Sequence, residues 1–301
     1  MIDKLNFFIV LAAERHFGKA AIRLGITQPS LSAAIRQLEQ NLGVMLINRG
    51  SRFQNLTEEG NRVLTWALQI TADARTMKEE IQNRTKGLSG TLIIGAIPTA
   101  MPAIPEITNS FLNRHPYVKL KLLSRNSNEV LGALERFDID VGMTYLSNEP
   151  LEKLKNVPFY DESYYLITPS KNFIRNKETV SWADAAKLRL CLLTPDMQNR
   201  RILNQRFLKE GISIVPTLEA NSLFGLFTHI QTGHWSSILP LSLVNSLKFN
   251  KGILTIPMEE PQLRHKIGLV ALNRDPNTPL ITAFLREAES VVLAKVNKNN
   301  V

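Results

Sequence analysis

The residues near the start of the chain best suited to chemistry are Thr27, Gln28, Pro29 and Ser30, followed by Ser32, Ala33 and Arg36. A glutamine amide can both donate to and accept from an adenine edge in the major groove, and hydroxyls can bond bases or phosphate oxygens. Small neighbours let a backbone come close to a duplex. Further along, Thr99, Ser127 and Thr144 each follow a strand-like run or lie at its end. Hydroxyls at adjacent strand ends, beside the free N–H groups of a helix start, can hold a small anion. Arg200 and Arg201, in "TPDMQNRR", could meet a carboxylate bidentately. His234 and Trp235, in "HIQTGHWSSILP", either narrow such a pocket or pack an edge. Each pattern also has a plainer reading: a solvated helix face, ordinary helix capping, or surface arginines at a helix start.

Other chemistries lack their residues. His16, His115, His229, His234 and His265 have no metal-ligand spacing such as HExxH. Neither Gly-x-Ser-x-Gly nor a Walker A sequence occurs, and "GTLIIGAI" is no dinucleotide fingerprint. No enzyme activity, cofactor or metal is therefore expected. The single cysteine, Cys191, leaves no internal disulfide and no cysteine-rich metal site. Within Leu190-Cys191-Leu192-Leu193 it reads as a buried thiol, with a redox sensor as the alternative.

These residues need elements to position them. Leu5, Phe8, Ile9 and Ala12 recur at helical spacing, a short second helix fits Gly18 to Leu24, and Gly25 supplies a turn. Thr27 is a good N-cap for a third helix, in which Pro29 is tolerated in the first turn and Leu42-Gly43 marks the end. Leu31, Ile35 and Leu38 form its inner stripe; Pro29, Ser30, Ala33, Arg36 and Gln37 fall opposite. This is a helix-turn-helix unit, and the basic, turn-forming "NRGSRFQNLT" (48–57) reads as a small wing. From Glu58 to about Lys86, Val63, Ala67, Ile70, Ala74, Met77 and Ile81 make a heptad seam, either a dimerising linker helix or a solitary amphipathic one. "KGLSG" (86–90) acts as a hinge.

The texture changes at Thr91. Strands over 91–97, 118–124 and 138–145, with helices over 102–114 and 129–137 between them, predict a parallel βαβαβ sheet. Strands over 164–169, 189–194, 212–219 and 266–272 follow, with helices near 181–187, 200–210, 222–232 and 279–293.

"AAIRLGITQPSLSAAIRQLEQNLGVMLINR" (20–49) with "LTEEG" (56–60) resembles the N-terminal domain of LysR-type transcriptional regulators. The matching positions include Ala20, Ala21, Gln28, Pro29, Ser32, Leu38, Glu39, Gly43, Arg49, Thr57 and Gly60. "GTLIIGAIPT", "HPYVKLKL" and "DIDVGM" fall where that family's effector domain begins. Ile47 and "RHFG" (15–18) depart from the usual pattern, as local packing changes. The resemblance implies a winged helix-turn-helix, a linker-helix dimer and a two-lobed α/β regulatory domain like type 2 periplasmic binding proteins. It implies Gln28, Pro29, Ser32 and Ala33 against base edges, Thr27, Ser30 and Arg36 on phosphates, and Arg52 in the minor groove. It also implies an effector between the lobes at positions matching Thr99 and Ser127, with Ala100 and Thr144 expected beside them. Ala33 stands where many relatives carry a longer polar residue, so base readout there is weaker.

The expected organisation is a DNA-binding domain (1–57), a dimerising linker and hinge (58–90), and an effector domain (91–301). The effector domain's first lobe spans about 91–162 and 267–301, and its second about 163–266. Net charge is +9, and +4 of it lies in residues 1–57, which suits double-stranded DNA. Further expected partners are a small anionic effector, RNA polymerase, and copies of the chain in a homodimer or homotetramer. The N-terminus lacks a signal peptide and the long uncharged stretches are too polar to span a membrane, so a cytoplasmic protein is expected. Two rivals are a solute-binding module and an enzyme with a fused DNA-binding domain. The first leaves the seam unexplained, and the second lacks a convergent cluster of acids, bases or metal ligands.

Overall fold

The computed structural model describes residues 1–49, 53–82, 87–147, 151–152, 154–172, 174, 176–259, 264–274 and 277–299. These fall into two compact units, Met1–Gly87 and Leu88–Val301. The first contains α1 (Ile2–Glu14), α2 (Phe17–Leu24), α3 (Gln28–Leu42), β1 (Ile47–Arg49), β2 (Phe53–Leu56) and α4 (Glu58–Gln82). Local chemistry sets most of the boundaries. The His16 ring accepts from the Lys19 N–H and caps α2, and Gly25 ends that helix with φ of 68°. Only a residue without Cβ takes that left-handed conformation cheaply, and it turns the chain directly into the Thr27 cap of α3. Leu5, Phe8 and Leu11 of α1, Ala20 and Ala21 of α2, and Leu31, Ile35 and Leu38 of α3 meet in one core. Ala20 and Ala21 are small enough for close helix approach.

The heptad seam of α4 divides into two parts. Ala67 is buried and Val63 packs against the same core, so the first turns belong to this unit's interior. Ile70, Met77 and Ile81 stay exposed, Met77 by 58% and Ile81 by 61%. With Ile2 of α1, the exposed end of α4 borders a groove of about 640 Å³. The last part of the expected seam region and hinge, residues 83–86, lies outside the described residues, as do wing residues 50–52.

The second unit begins with β3 (Ser89–Ala96), a 3-10 turn (Pro98–Ala103), α5 (Ile104–Arg114), β4 (Tyr117–Ser124), α6 (Ser127–Glu135) and β5 (Val141–Tyr145). Both β4 and β5 run parallel to β3, as the βαβαβ reading requires. The chain continues through β6 (Leu154–Pro169), α7 (Trp182–Ala186), β7 (Cys191–Leu193), α8 (Gln198–Lys209), β8 (Leu218–Ala220) and α9 (Leu223–Gln231). It ends with β9 (Ser237–Pro240), α10 (Leu241–Ser246), β10 (Ile253–Pro257), β11 (Arg264–Leu272) and α11 (Pro279–Asn299). Among the described residues, the main sheet has the order β10-β6-β11-β5-β3-β4, with β9 also on β6.

Three expectations change. The helix expected from Pro102 is split, because Pro98 to Ala103 form a 3-10 turn before α5 starts at Ile104. The strand expected over 164–169 is the second half of a longer β6. Its first half pairs with β11, and its second half pairs with β9 and β10. That change of partners between Ser163 and Tyr164 is where the chain crosses from one lobe to the other. Of the strand expected over 212–219, only the end enters a ladder, at Leu218. Ile212 and Ile214 turn their side chains into the core without strand partners, which leaves Val215 exposed.

Candidate functional site

The outer face of α3 is built from its cap outward. Thr27 Oγ1 accepts from the Ser30 N–H at 3.3 Å and lies 2.8 Å from Ser30 Oγ. Both hydroxyls are therefore already engaged at the helix start, yet both residues remain exposed. Gln28, Pro29, Ala33, Arg36 and Gln37 are exposed on the same side, Ser32 is half-buried at its edge, and Leu31, Ile35 and Leu38 are fully buried behind them. Arg52 lies outside the described residues.

A second layer holds this helix in place. Glu39, on the buried side of α3, accepts from the Leu46 N–H at 2.9 Å and fixes the turn that leads to β1. Thr57 Oγ1 donates to the Met45 carbonyl at 2.7 Å and accepts from the Gly60 N–H at 2.8 Å. At Gly60 a Cβ would lie 2.1 Å from the Leu46 carbonyl oxygen, so α4 can dock on that turn only with glycine there.

In the second unit, Thr99 (in the 3-10 turn), Ala100, Ser127 (first residue of α6) and Thr144 (in β5) are all buried. Thr144 Oγ1 donates to Ser127 Oγ at 3.3 Å. Thr99 and Ser127 line a small cavity of about 10 Å³ together with Tyr145, Met197, Gln198 and Asn199, so both lobes contribute to it. Thr99 Oγ1 lies close enough to Tyr145 and Glu162 to act on their ionisation, yet has no hydrogen bond of its own. Asn199 Nδ2, a buried donor, likewise has no partner. The α8 helix begins here without a side-chain cap, which leaves its first N–H groups available.

Tyr145 connects this cavity to a buried carboxyl. Its hydroxyl donates to Glu162 Oε1 at 2.9 Å, and Tyr164 donates to the same oxygen at 2.5 Å. Glu162 is 1% exposed. Burial pushes its pKa up to about 7, against the opposing effect of the Tyr164 and Tyr145 hydrogen bonds. The short spacing Tyr160, Glu162, Tyr164 was the only sequence signal for this group.

Two family models cover most of the chain: "Bacterial regulatory helix-turn-helix protein, lysR family" over residues 2–61 and "LysR substrate binding domain" over residues 85–292. The chain belongs to the LysR family. It is a DNA-binding transcriptional regulator with an effector-binding domain. It is 29% identical over 291 residues to the DNA-binding transcriptional dual regulator OxyR of Escherichia coli (strain K12), covering 96% of this chain and 94% of that one. Its fold is similar to a full-length OxyR of Pseudomonas aeruginosa carrying a cysteine-to-aspartate substitution (TM-score 0.71, 23% identity, 97% and 98% of the two chains). It is also similar to full-length CbnR complexed with its target DNA (TM-score 0.65, 21% identity, 97% and 99% of the two chains).

Within this LysR regulator, some of the residues singled out in the sequence do not meet the cleft cavity. Arg200 is buried with its guanidinium engaged elsewhere, donating to the Leu193 carbonyl at 2.7 Å, Glu219 Oε1 at 2.6 Å and Asn204 Oδ1 at 2.8 Å. Arg201 bonds Gln198 Oε1 at 2.6 Å and the Asp196 carbonyl at 2.8 Å, next to the cavity but not lining it. His234 is exposed in the turn after α9, and its neighbour Trp235 stacks under Arg189, with 4.0 Å from the guanidinium carbon to the ring centroid. Gln198 and Asn199 reach the cavity instead. Cys191 lies in β7, buried, and burial pushes its thiol up to about 12. Among the described residues no group of His, Cys, Asp and Glu could hold a metal, and no helix is long and apolar enough to cross a membrane.

Proposed function

We propose that this regulator is a cytoplasmic, non-enzymatic protein that binds operator DNA through α3 as a dimer or dimer-built tetramer. A small acceptor-rich effector, an anion by preference, binds between the lobes and changes how the copies are arranged on the promoter. The observation that carries the effector reading is the pair of buried, unpartnered donors facing one cavity, Thr99 Oγ1 from one lobe and Asn199 Nδ2 from the other. Buried donors without acceptors are costly, so an acceptor arriving there gains what they lack. The α6 and α8 N-termini add positive potential. At about 10 Å³ the cavity suits one water-sized occupant, so a larger effector enters only with the lobes further apart. For the ligand to act as a switch it must bind the two arrangements unequally.

On the DNA side, Gln28, Pro29, Ser32 and Ala33 face base edges, and Thr27, Ser30 and Arg36 hold phosphates, with Arg52 in the minor groove. Residues 1–57 form the reading domain, 58–90 the dimerising linker and hinge, and 91–301 the effector domain. The exposed end of the α4 seam supports dimerisation, the effector domain offers a second self-association surface, and altered DNA bending and contact with RNA polymerase follow from the arrangement of the copies.

Several relatives are named hydrogen peroxide-inducible genes activators, which raises redox sensing as a second reading. This chain has one cysteine, buried and with its thiol held far from ionisation. A thiolate is needed for reaction with peroxide, so ligand binding is favoured over thiol oxidation.

The test is recovery of genomic fragments bound by the purified protein, followed by a thermal-shift screen of metabolites suggested by the neighbouring genes. Gln28→Ala should weaken specific binding by about 1–3 kcal/mol while leaving non-specific binding nearly unchanged. Thr99→Val should abolish the response to the metabolite that shifts the wild type. A normal response from that variant removes the cleft assignment.

A further inference from the structure

A second cavity, of about 370 Å³, opens beside the lobe crossover at Tyr160 to Ser163. It is bounded by β6, α10 and the ends of α5 and α11. Three buried oxygens without a hydrogen bond of their own belong to its lining: Glu162 Oε2, Tyr160 Oη and Ser242 Oγ, the last two close enough for Ser242 to act on the Tyr160 hydroxyl. Glu162 is decisive. Its Oε1 already accepts from Tyr145 and Tyr164, while Oε2, on a side chain 1% exposed, accepts from nothing. Two further carboxyl groups belong to the lining. Asp161 and Glu106 border it, and its cation, Lys295, is tied to Glu106 in an ion pair.

We propose that this crossover cavity is a second ligand site, distinct from the cleft, and that it takes a small organic cation whose ammonium or guanidinium N–H groups donate to Glu162 Oε2. A cation is favoured because the lining carries three carboxyl groups against one lysine already paired. A bare metal ion is disfavoured, since among the described residues no group could hold one. The volume falls in the range of about 300–1,000 Å³ common for small-molecule sites. The Tyr160 and Ser242 hydroxyls can accept further N–H groups or bond a polar tail.

The site has a route to the cleft. An ammonium on Oε2 stabilises the charged carboxylate, which strengthens the Tyr145 hydrogen bond on Oε1, and Tyr145 lines the cleft cavity. Affinity must rise with pH as Glu162 ionises. The ionisable groups around it are Tyr145 of β5, Tyr160, Asp161 and Tyr164 of β6, His265 opposite it on β11, Glu106 of α5 and Lys295 of α11. Burial raises Glu162 to about 7, whereas burial holds His265 below the ordinary imidazole value.

Calorimetric titration of the full chain tests the proposal, with 1,4-diaminobutane and agmatine as probes, 1,4-butanediol as the neutral control and succinate as the anionic one. Saturable binding of at least one cation, with neither control competing, is expected. Glu162→Gln should weaken it about tenfold or more, equivalent to about 1.4 kcal/mol or more. Affinity should rise between about pH 6 and about pH 8. Asn245→Trp, at the exposed rim, should block binding without disturbing the core, so the assignment does not depend on how Glu162→Gln folds. No saturable binding by either cation overturns the proposal. So does equal binding to Glu162→Gln, or a preference for butanediol or succinate. Asn199→Ala removes a cleft donor that neither lines this cavity nor acts on Glu162, and should leave cation binding intact, which separates failure of this site from failure of the cleft reading.

Discussion

At Glu162 a carboxyl group is held away from water by two phenols, and this has a consequence for stability. Its pKa lies near 7 against the ordinary carboxylate value of 4.5, chiefly because it is buried. A group with a raised folded pKa contributes its full stability below the unfolded value and loses it as pH climbs through the folded one. Glu162 should therefore cost the protein stability progressively between about pH 4.5 and about pH 7. Glu162→Gln, which cannot ionise, should gain on the wild type by about 2–3 kcal/mol in urea titrations at pH 8 relative to pH 5. A difference that shrinks toward pH 8 would contradict burial as the dominant cause. At Cys191 the expectation is inertness. A thiol reagent should label the native protein far more slowly than the urea-unfolded one, and Cys191→Ser should keep its DNA affinity after peroxide treatment. Rapid native labelling would reopen thiol sensing. The burial of Cys191 was readable from its neighbours in the chain, but the behaviour of Glu162 was not. An apolar run made Cys191 a candidate buried thiol, but nothing around Glu162 in sequence announces Tyr145 or the cavity.

At the scale of elements, α4 does two jobs in series. Its first turns close the core of the DNA-binding unit, with Gly60 lying directly on the Leu46 carbonyl. Gly60→Ala must push α4 off that turn, and should lower the stability of this unit by about 2–4 kcal/mol in thermal unfolding. Its later turns present Met77 and Ile81 to solvent. Met77→Glu with Ile81→Glu should shift sedimentation equilibrium toward monomer and weaken operator binding while leaving the helical signal intact. An unchanged association constant would remove the exposed end of α4 as the dimer surface. The heptad spacing in the sequence marked both halves alike, because periodicity records which face is apolar and not what covers it. The same limit explains residues 212–217. Their alternation suits a strand, yet Ile212 and Ile214 use it to pack against the core, and among the described residues no strand pairs with them.

For the whole molecule, nearly half of the net positive charge lies in the first 57 residues, though they are about a fifth of the chain. Operator binding by a dimer making about 6–10 phosphate contacts should fall roughly 10³-fold or more between 50 and 200 mM salt, as gel-shift titrations would measure. A flat salt response would argue against the reading helix and wing as the contact surface. The sequence by itself determined the helix-turn-helix, the identity of its outward face, the parallel βαβαβ start of the effector domain and the family. Those features rest on periodicity, caps and turn residues, whose physics is local to a few neighbours in the chain. Tertiary structure alone decided that Arg200 turns to Glu219 rather than to the cleft, that Asn199 takes its place, and that β6 changes partners at the lobe crossover. It also decided that Glu162 is buried beneath two tyrosines. Those outcomes depend on which distant segments remove water from a side chain and which polar groups arrive with them, and no local spacing encodes that.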